Sequence, residues 1–170
     1  MLVFKQNLPN YSVIIREVAR PLRISTRGRY GLRAMVDMAF NTLDGPVTLH
    51  EVAKRQGVSE SYLEQVFANL RKAGLVTAQR GAQGGYELGR SAIEITVGDV
   101  LRALEGSIAP VHCVDRIKAG RHCERESFCA TRPFWEQFRD HINSFLDATT
   151  LQELADRARL AEGKEPMYFI

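Results

Sequence analysis

The stretch VAKRQGVSESYLEQVFANLRKAGLVTAQRGAQGGYEL, residues 52–88, decides the fold. A short helical pattern ends in a turn where Gly57 can adopt a positive φ, and Ser59 caps a second helix that Gly74 ends. That second helix has one apolar face, formed by Leu63, Val66, Phe67 and Leu70. Two alternating runs, Val76–Arg80 and Tyr86–Leu88, then flank a glycine-rich loop and predict a β-hairpin. Two helices, a tight turn and a hairpin indicate a winged helix–turn–helix.

The outward face of the second helix consists of Ser61, Glu64, Gln65, Ala68 and Lys72. The major groove of DNA admits a helix, and Gln and Glu side chains can pair with adenine and cytosine there. We therefore expect this face to read bases. The loop Gly81–Gly85 would reach the minor groove or the backbone, with Arg80 at its shoulder to supply charge. The alternative is a solvated helix face beside an ordinary hairpin.

Upstream of this stretch, an apolar stripe at helical spacing predicts a first helix from about Arg29 to Thr42. Arg27, Arg29 and Arg33 lie at its start. We expect these arginines to contact phosphates, which hold a protein in register on DNA but carry no sequence information.

Capping boxes at Thr48 and Thr96 begin two further helices. A long helix opens at Pro133 and runs to about Asp147, and a short helix through Leu151–Leu160 follows. The predicted fold class is mainly α with a small β-hairpin wing.

Five segments follow from this pattern. They are a weakly ordered extension (1–21), a winged helix–turn–helix DNA-binding domain (22–106), a cysteine-containing cofactor loop (107–132), a dimerisation helix with a C-terminal helix (133–160), and a tail (161–170).

Composition fits a globular protein, because 45% of the 170 residues are hydrophobic and 25% are charged. Residues 1–90 carry 13 Lys/Arg and 7 Asp/Glu, a net charge of +6, whereas residues 91–170 carry 10 and 13, a net charge of −3. A basic front half favours a polyanion as partner, although chance asymmetry is the alternative. No run is long and apolar enough for a membrane span or a signal peptide, so we expect a cytoplasmic protein that does not bind membranes.

Catalytic patterns are absent from the sequence. It contains no Ser–His–Asp arrangement, no phosphate loop and no paired acids, and Gly81–Gly85 lacks the Lys-Ser/Thr of a nucleotide loop. We therefore do not expect an enzyme.

Three cysteines, Cys113, Cys123 and Cys129, are separated by nine and five residues. An odd number in one segment does not suit a disulfide framework. Thiolates select iron–sulfur clusters, zinc or Cu(I), and three cysteines supply three of the usual four ligands of a cluster. A zinc site completed by His112 or His122, thiol redox sensing without a metal, and three inert cysteines stay open as alternatives.

The motifs RISTRGRYGLRAMVDMA (23–39), SYLEQ (61–65) and RGAQGGYELGR (80–90) resemble the IscR-type (Rrf family) winged-helix transcription regulators, with their IscR, NsrR and CymR branches. The resemblance spans about residues 22–154. It implies base contacts by Ser61, Glu64 and Gln65, backbone contacts by Tyr30 and Arg80, and a wing in the minor groove. The other candidate DNA-contacting residues are Ser59 and Tyr62, in the similar stretch VAKRQGVSESYLEQVFANLRKAGLV (52–76), and the wing glycines Gly81, Gly84 and Gly85.

The same resemblance implies a cluster on the three cysteines, [2Fe–2S] in preference to [4Fe–4S]. This chain departs from the family pattern, because its first cysteine gap is four residues longer and Arg132 occupies the position of the histidine ligand of the IscR branch. Arg29 stands where other branches have an acidic ligand. The fourth ligand is therefore open, and the candidates are His122, His112, Glu124, an exogenous thiol or water. An incomplete ligand set suits a labile, sensing cluster.

The long helix carries a heavy apolar stripe formed by Trp135, Phe138, Ile142, Phe145 and Leu146. We expect part of it to pack against a second copy, as the resemblance implies, and the alternative is that it folds back on its own domain. A homodimer of this kind presents two reading heads to double-stranded operator DNA. We interpret the protein as a repressor that senses iron–sulfur or redox status, with a partner-controlled regulator lacking a cofactor as the rival.

Overall fold

The computed structural model describes residues 24–41, 45–81, 84–115, 123 and 125–162. The predicted extension 1–21 and nearly all of the predicted tail lie outside the described residues. The elements are α1 (Thr26–Asn41), α2 (Leu49–Gln56), α3 (Glu60–Lys72), β1 (Val76–Gln79), β2 (Gly85–Leu88), α4 (Val97–Glu105), two 3-10 turns (His112–Val114 and Glu126–Phe128), α5 (Arg132–Ala148) and α6 (Leu151–Glu162). None of the helices in these ranges is long and apolar enough to cross a membrane.

The predicted capping boxes are confirmed. Thr48 Oγ1 accepts a hydrogen bond from the Glu51 N–H at 3.2 Å, and the Glu51 carboxylate accepts from the Thr48 N–H at 3.1 Å. The Thr48 side chain, which also bonds to this carboxylate, is the main cause of a lowered pKa for Glu51. Thr96 and Asp99 form the same arrangement at the start of α4. Gly57 ends α2 with a φ of 65°, which explains the glycine in this turn.

The start of α1 differs from the prediction, because the helix begins at Thr26 rather than near Arg29. The cap comes from a distant residue. Glu105 Oε1 accepts from the Gly28 N–H at 2.9 Å and from the Ser25 hydroxyl at 2.5 Å. A carboxylate at a helix N-terminus satisfies unpaired N–H groups and complements the helix dipole, so α4 fixes the origin of α1.

The main core lies between α1, α2, α3, α4, β1 and α6, and its largest fully buried side chains include Phe67, Met35, Met38 and Leu63. Leu151 and Ala155 of α6 are fully buried in the same core. Arg159 of α6 also donates hydrogen bonds to the carbonyl oxygens of Ala39 and Phe40, at 3.3 and 3.0 Å. The C-terminal helix therefore packs on α1 as part of the main core.

The wing is a two-stranded antiparallel hairpin in which Val76 pairs with Leu88 and Gln79 with Gly85. The N–H of Val47 donates to the Tyr86 carbonyl at 2.9 Å, and the N–H of Tyr86 donates back to the Val47 carbonyl at 2.8 Å. This bridge ties the hairpin to the segment that leads into α2, so the wing has a fixed orientation relative to the helix–turn–helix.

The long helix α5 begins at Arg132, one residue before the prediction, and its apolar stripe is divided. Ile142 and Leu146 pack beside a small second core of Val97, Leu101 and Ile108. Phe134, Phe138 and Phe145 are exposed by 58, 39 and 71%. Part of the stripe thus folds back on its own domain, and the rest stays uncovered in the single chain.

Candidate nucleic-acid interface and cysteine segment

The faces of α3 are divided as predicted. Leu63, Val66, Phe67 and Leu70 are buried, and Ser61, Glu64 and Gln65 are exposed. Ser59 caps the helix by accepting from the Tyr62 N–H at 3.3 Å. The side chains of Ser61, Glu64 and Gln65 project from the first half of α3, the second helix of the helix–turn–helix. This is the part of the motif that reaches base edges.

Tyr62 differs from the other candidates on α3. Its ring packs edge-on against Tyr30 with centroids 6.2 Å apart. Its hydroxyl oxygen is buried and has no hydrogen-bond partner among the described residues, and burial raises its pKa. The side chain joins α3 to α1, and a contact of Tyr62 with DNA stays a prediction.

A cluster of cations lies beside α3. The guanidinium groups of Arg29 and Arg33 both lie 5.3 Å from the centroid of the Tyr30 ring. Within the described ranges, neither these two arginines nor Arg27 has a carboxylate partner. Six other arginines there are paired with acids: Arg55, Arg90, Arg102, Arg132, Arg139 and Arg159. The positive charge at the start of α1 is thus available to an anion such as a DNA phosphate.

Arg33 is held by a hydrogen-bond network that the sequence did not reveal. Its Nε donates to Gln56 Oε1 at 3.0 Å, and Gln56 Nε2 donates to Asp37 Oδ1 at 3.1 Å. Asp37, whose side chain is only 8% exposed, also accepts from Nε and Nη2 of Arg55 at 2.9 and 2.7 Å. The network joins α1 to α2 and fixes the amide of Gln56 with its oxygen toward Arg33.

The wing glycines have structural reasons to be glycine. Gly81 has a φ of 119°, which other residues rarely adopt. A Cβ on Gly84 would lie 2.5 Å from the Gln79 carbonyl oxygen, and one on Gly85 would lie 2.7 Å from that of Val47. The Gly84 N–H donates to the Gly81 carbonyl at 2.9 Å and is used within the loop. Contacts of the glycines with DNA stay predictions, as does a backbone contact of exposed Arg80.

These parts form one continuous arrangement. The polar face of α3 lies beside α1, whose first arginines have no acidic partner in the part of the chain that the structure describes. The β1–β2 hairpin follows α3 in the chain. A convex helix with flanking cations suits insertion into a groove of a polyanion.

The three cysteines lie in the turns that lead from α4 to α5. Cys113 is in the 3-10 turn His112–Val114, and Cys129 follows the second 3-10 turn, three residues before Arg132 at the start of α5. All three thiols are free and half-buried. Cys129 Sγ lies 3.4 Å from Thr131 Oγ1, and that hydrogen bond is the main cause of a lowered pKa for this thiol.

The ligand set is not assembled in this conformation. Among the described residues, which include all three cysteines, no three His, Cys, Asp or Glu side chains form a group that could hold a metal ion. Arg132 is committed to ion pairs with Glu126 at 2.5 Å and Glu136 at 2.9 Å. His112 is exposed, whereas the candidates His122 and Glu124 lie outside the described residues.

The donor chemistry nevertheless fits a thiophilic metal centre, since three thiols in no disulfide lie in short turns rather than inside regular helices. Binding such a centre through all three cysteines requires a rearrangement of the segment that carries them, because no three potential ligands of the described residues form a group here.

Sequence reasoning missed three residues that organise these regions: Asp37, Gln56 and Arg139. Asp37 follows Arg33 by four residues, a spacing that indicates an ion pair on one face of a helix. In the structure, the amide of Gln56 lies between the two side chains and bonds to both. Arg139 lies at helical spacing between Trp135 and Ile142, and an arginine within an apolar stripe could have been noticed.

Comparisons with known proteins agree with this geometry. A family model described as Rrf2, an iron-dependent transcriptional regulator, matches residues 24–157. The HTH-type transcriptional regulator IscR of Pectobacterium carotovorum is 41% identical over 141 residues, which are 83% of this chain and 84% of that protein. A solved structure of T. potens IscR is 42% identical with a TM-score of 0.66, covering 86% of this chain and 96% of that one.

CymR (YrzC), the global cysteine regulator of B. subtilis, is 43% identical with a TM-score of 0.66, covering 79% of this chain and 97% of that one. These likenesses confirm the predicted winged-helix fold and the family resemblance. They also confirm the expectation that the chain is not an enzyme, because the relatives are transcriptional regulators.

Proposed function

This chain belongs to the Rrf2 family and is a DNA-binding transcriptional regulator of the IscR type, and from that premise we propose that it is a homodimeric repressor in the cytoplasm. In this proposal Cys113, Cys123 and Cys129 hold an iron–sulfur cluster whose state controls operator binding. The target genes in this proposal serve iron–sulfur assembly, cysteine metabolism or defence against oxidative and nitrosative stress.

The observation that carries the DNA-binding mode is the placement of the exposed polar face of α3 next to arginines that have no acidic partner among the described residues. Ser61, Glu64 and Gln65 are proposed to read base edges, because short polar chains on an exposed helix can form paired hydrogen bonds in the major groove. Arg29 and Arg33, together with Arg27, are proposed to bind phosphates, which hold the reading helix in register.

The dimer is supported by the uncovered aromatic side chains of α5. Phe134 and Phe138 stack with ring centroids 6.2 Å apart, and Trp135 packs edge-on against both. Exposed aromatic rings of this size are costly in water, and such patches mark interaction sites. A second copy related by two-fold symmetry would cover them and place two α3 helices on one face of the duplex.

The cluster is supported by the three free thiols and by the IscR relatives. When bound, it would supply an oxidation- and iron-sensitive bridge between the two cysteine-bearing turns. The protein's own part is to bring these turns together, and the [2Fe–2S] form is preferred over [4Fe–4S]. The fourth ligand is left to His112, His122, Glu124 or an exogenous group, because the guanidinium of Arg132 stays protonated and cannot bind a metal.

A thiol switch without metal is the second candidate. It is favoured by the likeness to CymR and by Cys129, whose thiol pKa is lowered and which is therefore the readier to form a thiolate. A zinc site on the same cysteines with a histidine is the third.

Anaerobic isolation separates these candidates. The proposal expects brown protein with about two iron and two sulfide per chain, together with different operator affinities of the loaded and apo forms. Colourless protein with stoichiometric zinc would establish the zinc site. Metal-free protein whose DNA binding responds to an oxidant, and loses the response when the cysteines are replaced, would establish the thiol switch.

A further inference from the structure

Arg139 is the anomaly of the fold. Of the polar and charged residues that the structure describes, it alone is buried, with 7% of the residue exposed. A buried charge is costly unless it is paired and its hydrogen-bonding groups are satisfied. Its Nε and Nη2 donate to the two carboxylate oxygens of Asp140, at 2.8 and 3.0 Å. Asp140 is half exposed, so this pair alone would not require burial of the guanidinium.

The remaining nitrogen of Arg139 reaches the cysteine segment. Its Nη1 donates to the carbonyl oxygen of Val114 at 2.9 Å, in a buried hydrogen bond between residues 25 positions apart. Val114 is 3% exposed and ends the 3-10 turn that carries Cys113. The guanidinium therefore joins α5 to the residue next to the first cysteine.

The same helix is connected to the third cysteine through the chain. The Arg132 N–H, in the first turn of α5, donates to the carbonyl of Cys129 at 3.2 Å. Arg139 lies about two helical turns further on, roughly 10 Å along the axis. One rigid helix thus holds Cys129 at its start and the Cys113 turn at its middle.

We propose that Arg139 is a positioning residue that ties the Cys113 turn to α5, so that a movement of Cys113 is transmitted to the dimerisation helix. The inference rests on the proposed function, in which the cysteine-bearing turns must approach one another to bind a cluster. A movement of the Cys113 turn then pulls on α5 through the Val114 carbonyl, and α5 sets the relation between the two reading heads. Lysine cannot replace this side chain, because only the planar fork of arginine serves Asp140 and the carbonyl together.

The first test needs no cofactor. In reduced apo-protein, alkylation of Cys113 by iodoacetamide is followed by mass spectrometry in wild type, Arg139→Lys and Arg139→Met. We expect Cys113 to react about tenfold faster in both variants, because a hydrogen bond to a charged group is lost, while the rate at Cys129 stays the same. Arg102→Lys is the matched control, since Arg102 also joins α5 to another element, but its ion pairs are with Asp147 and Asp99 and not with a residue of a cysteine-bearing turn.

The second test follows DNA affinity. Arg139→Lys is expected to retain apo-protein affinity within about twofold of wild type and to bring the loaded-to-apo affinity ratio close to one. Circular dichroism checks that each variant is folded. If Arg139→Met does not fold, the tests rest on Arg139→Lys alone. Wild-type labelling at Cys113 in both variants, or an unchanged affinity ratio, would overturn the inference. A wild-type protein that takes up no iron would contradict the proposed cluster instead, and the labelling rates would still decide the role of Arg139.

Discussion

Gln56→Met tests whether the network behind Arg33 contributes to DNA binding. Gln56 accepts a hydrogen bond from Arg33 Nε at 3.0 Å and donates one to Asp37 Oδ1 at 3.1 Å. Methionine has a similar length but can make neither bond. The positive charge of Arg33 and its contact with the Tyr30 ring stay, but the side chain loses its hydrogen bond to Gln56, so it gains freedom that must be lost again on binding.

The expected loss follows from that ordering. Immobilising one long side chain at an interface costs about 0.5–1.5 kcal/mol, so two copies in a dimer lose about 1–3 kcal/mol, or roughly 5- to 150-fold in Kd. Arg33→Ala differs in kind, because it removes a phosphate contact from each subunit. It should reduce the salt slope of log K by about 1.8 per dimer, whereas Gln56→Met should leave the slope unchanged.

Fluorescence anisotropy with an operator duplex at several salt concentrations measures both quantities. In the double-mutant cycle, Gln56→Met should cost nothing further in the Arg33→Ala background. Gln152→Met is the matched control, because Gln152 makes the same kind of bond to Asp156 at 2.9 Å on α6, away from α3. Wild-type affinity in Gln56→Met, or an equal loss with and without Arg33, would refute the reasoning.

Three further changes test other parts of the structure. Gly85→Ala should lower the free energy of unfolding by about 1–3 kcal/mol in denaturant titration and weaken DNA binding, because its Cβ would lie 2.7 Å from the Val47 carbonyl oxygen. Thr48→Ala should cost about 1 kcal/mol by thermal melting, as the cap of α2 is lost. It should also raise the pKa of Glu51, which NMR measures. Because folding lowers this pKa, the Glu51 carboxylate stabilises the fold at pH values above its unfolded-state pKa, and this contribution is lost as the pH falls through its folded-state pKa. Phe138→Glu should yield monomers in analytical ultracentrifugation without loss of helix content, because the ring is exposed in the single chain.

Contrary outcomes are equally concrete. Wild-type DNA affinity of Gly85→Ala would mean that the Val47 bridge does not orient the wing for binding. An unchanged Glu51 titration in Thr48→Ala would remove the capping box as its cause. A dimer that survives Phe138→Glu, with Gln137→Glu on the same helix as the charge control, would place the interface elsewhere.

Elements whose signals are local could be predicted from the sequence. Thr48 with Glu51 and Thr96 with Asp99 each carry a complete cap within four residues, so the starts of α2 and α4 were correct. The burial of Leu63 and the exposure of Glu64 on α3 follow from a single period of 3.6 residues.

Features that depend on distant partners could not be predicted. The first turn of α1 is capped by Glu105, about 80 residues away, so local propensity placed the start three residues late. From the sequence alone, contact with DNA explains Gly84 and Gly85. In the fold, a side chain at these positions would collide with the carbonyl oxygens of Gln79 and Val47, which only the three-dimensional structure reveals. Arg139 acquires its meaning from Val114, which the sequence separates from it by 25 residues.

In the proposed dimer, the exposed face of α3 reads DNA bases. Repeated selection from a pool of random duplexes, with wild type and Glu64→Ala in parallel, tests it most directly. Wild type should select a two-fold symmetric consensus with half-sites separated by about one helical turn or a multiple of it, and Glu64→Ala should change the base preference at one position of each half-site. Enrichment of no sequence by wild type, or the same consensus for both proteins, would contradict the claim.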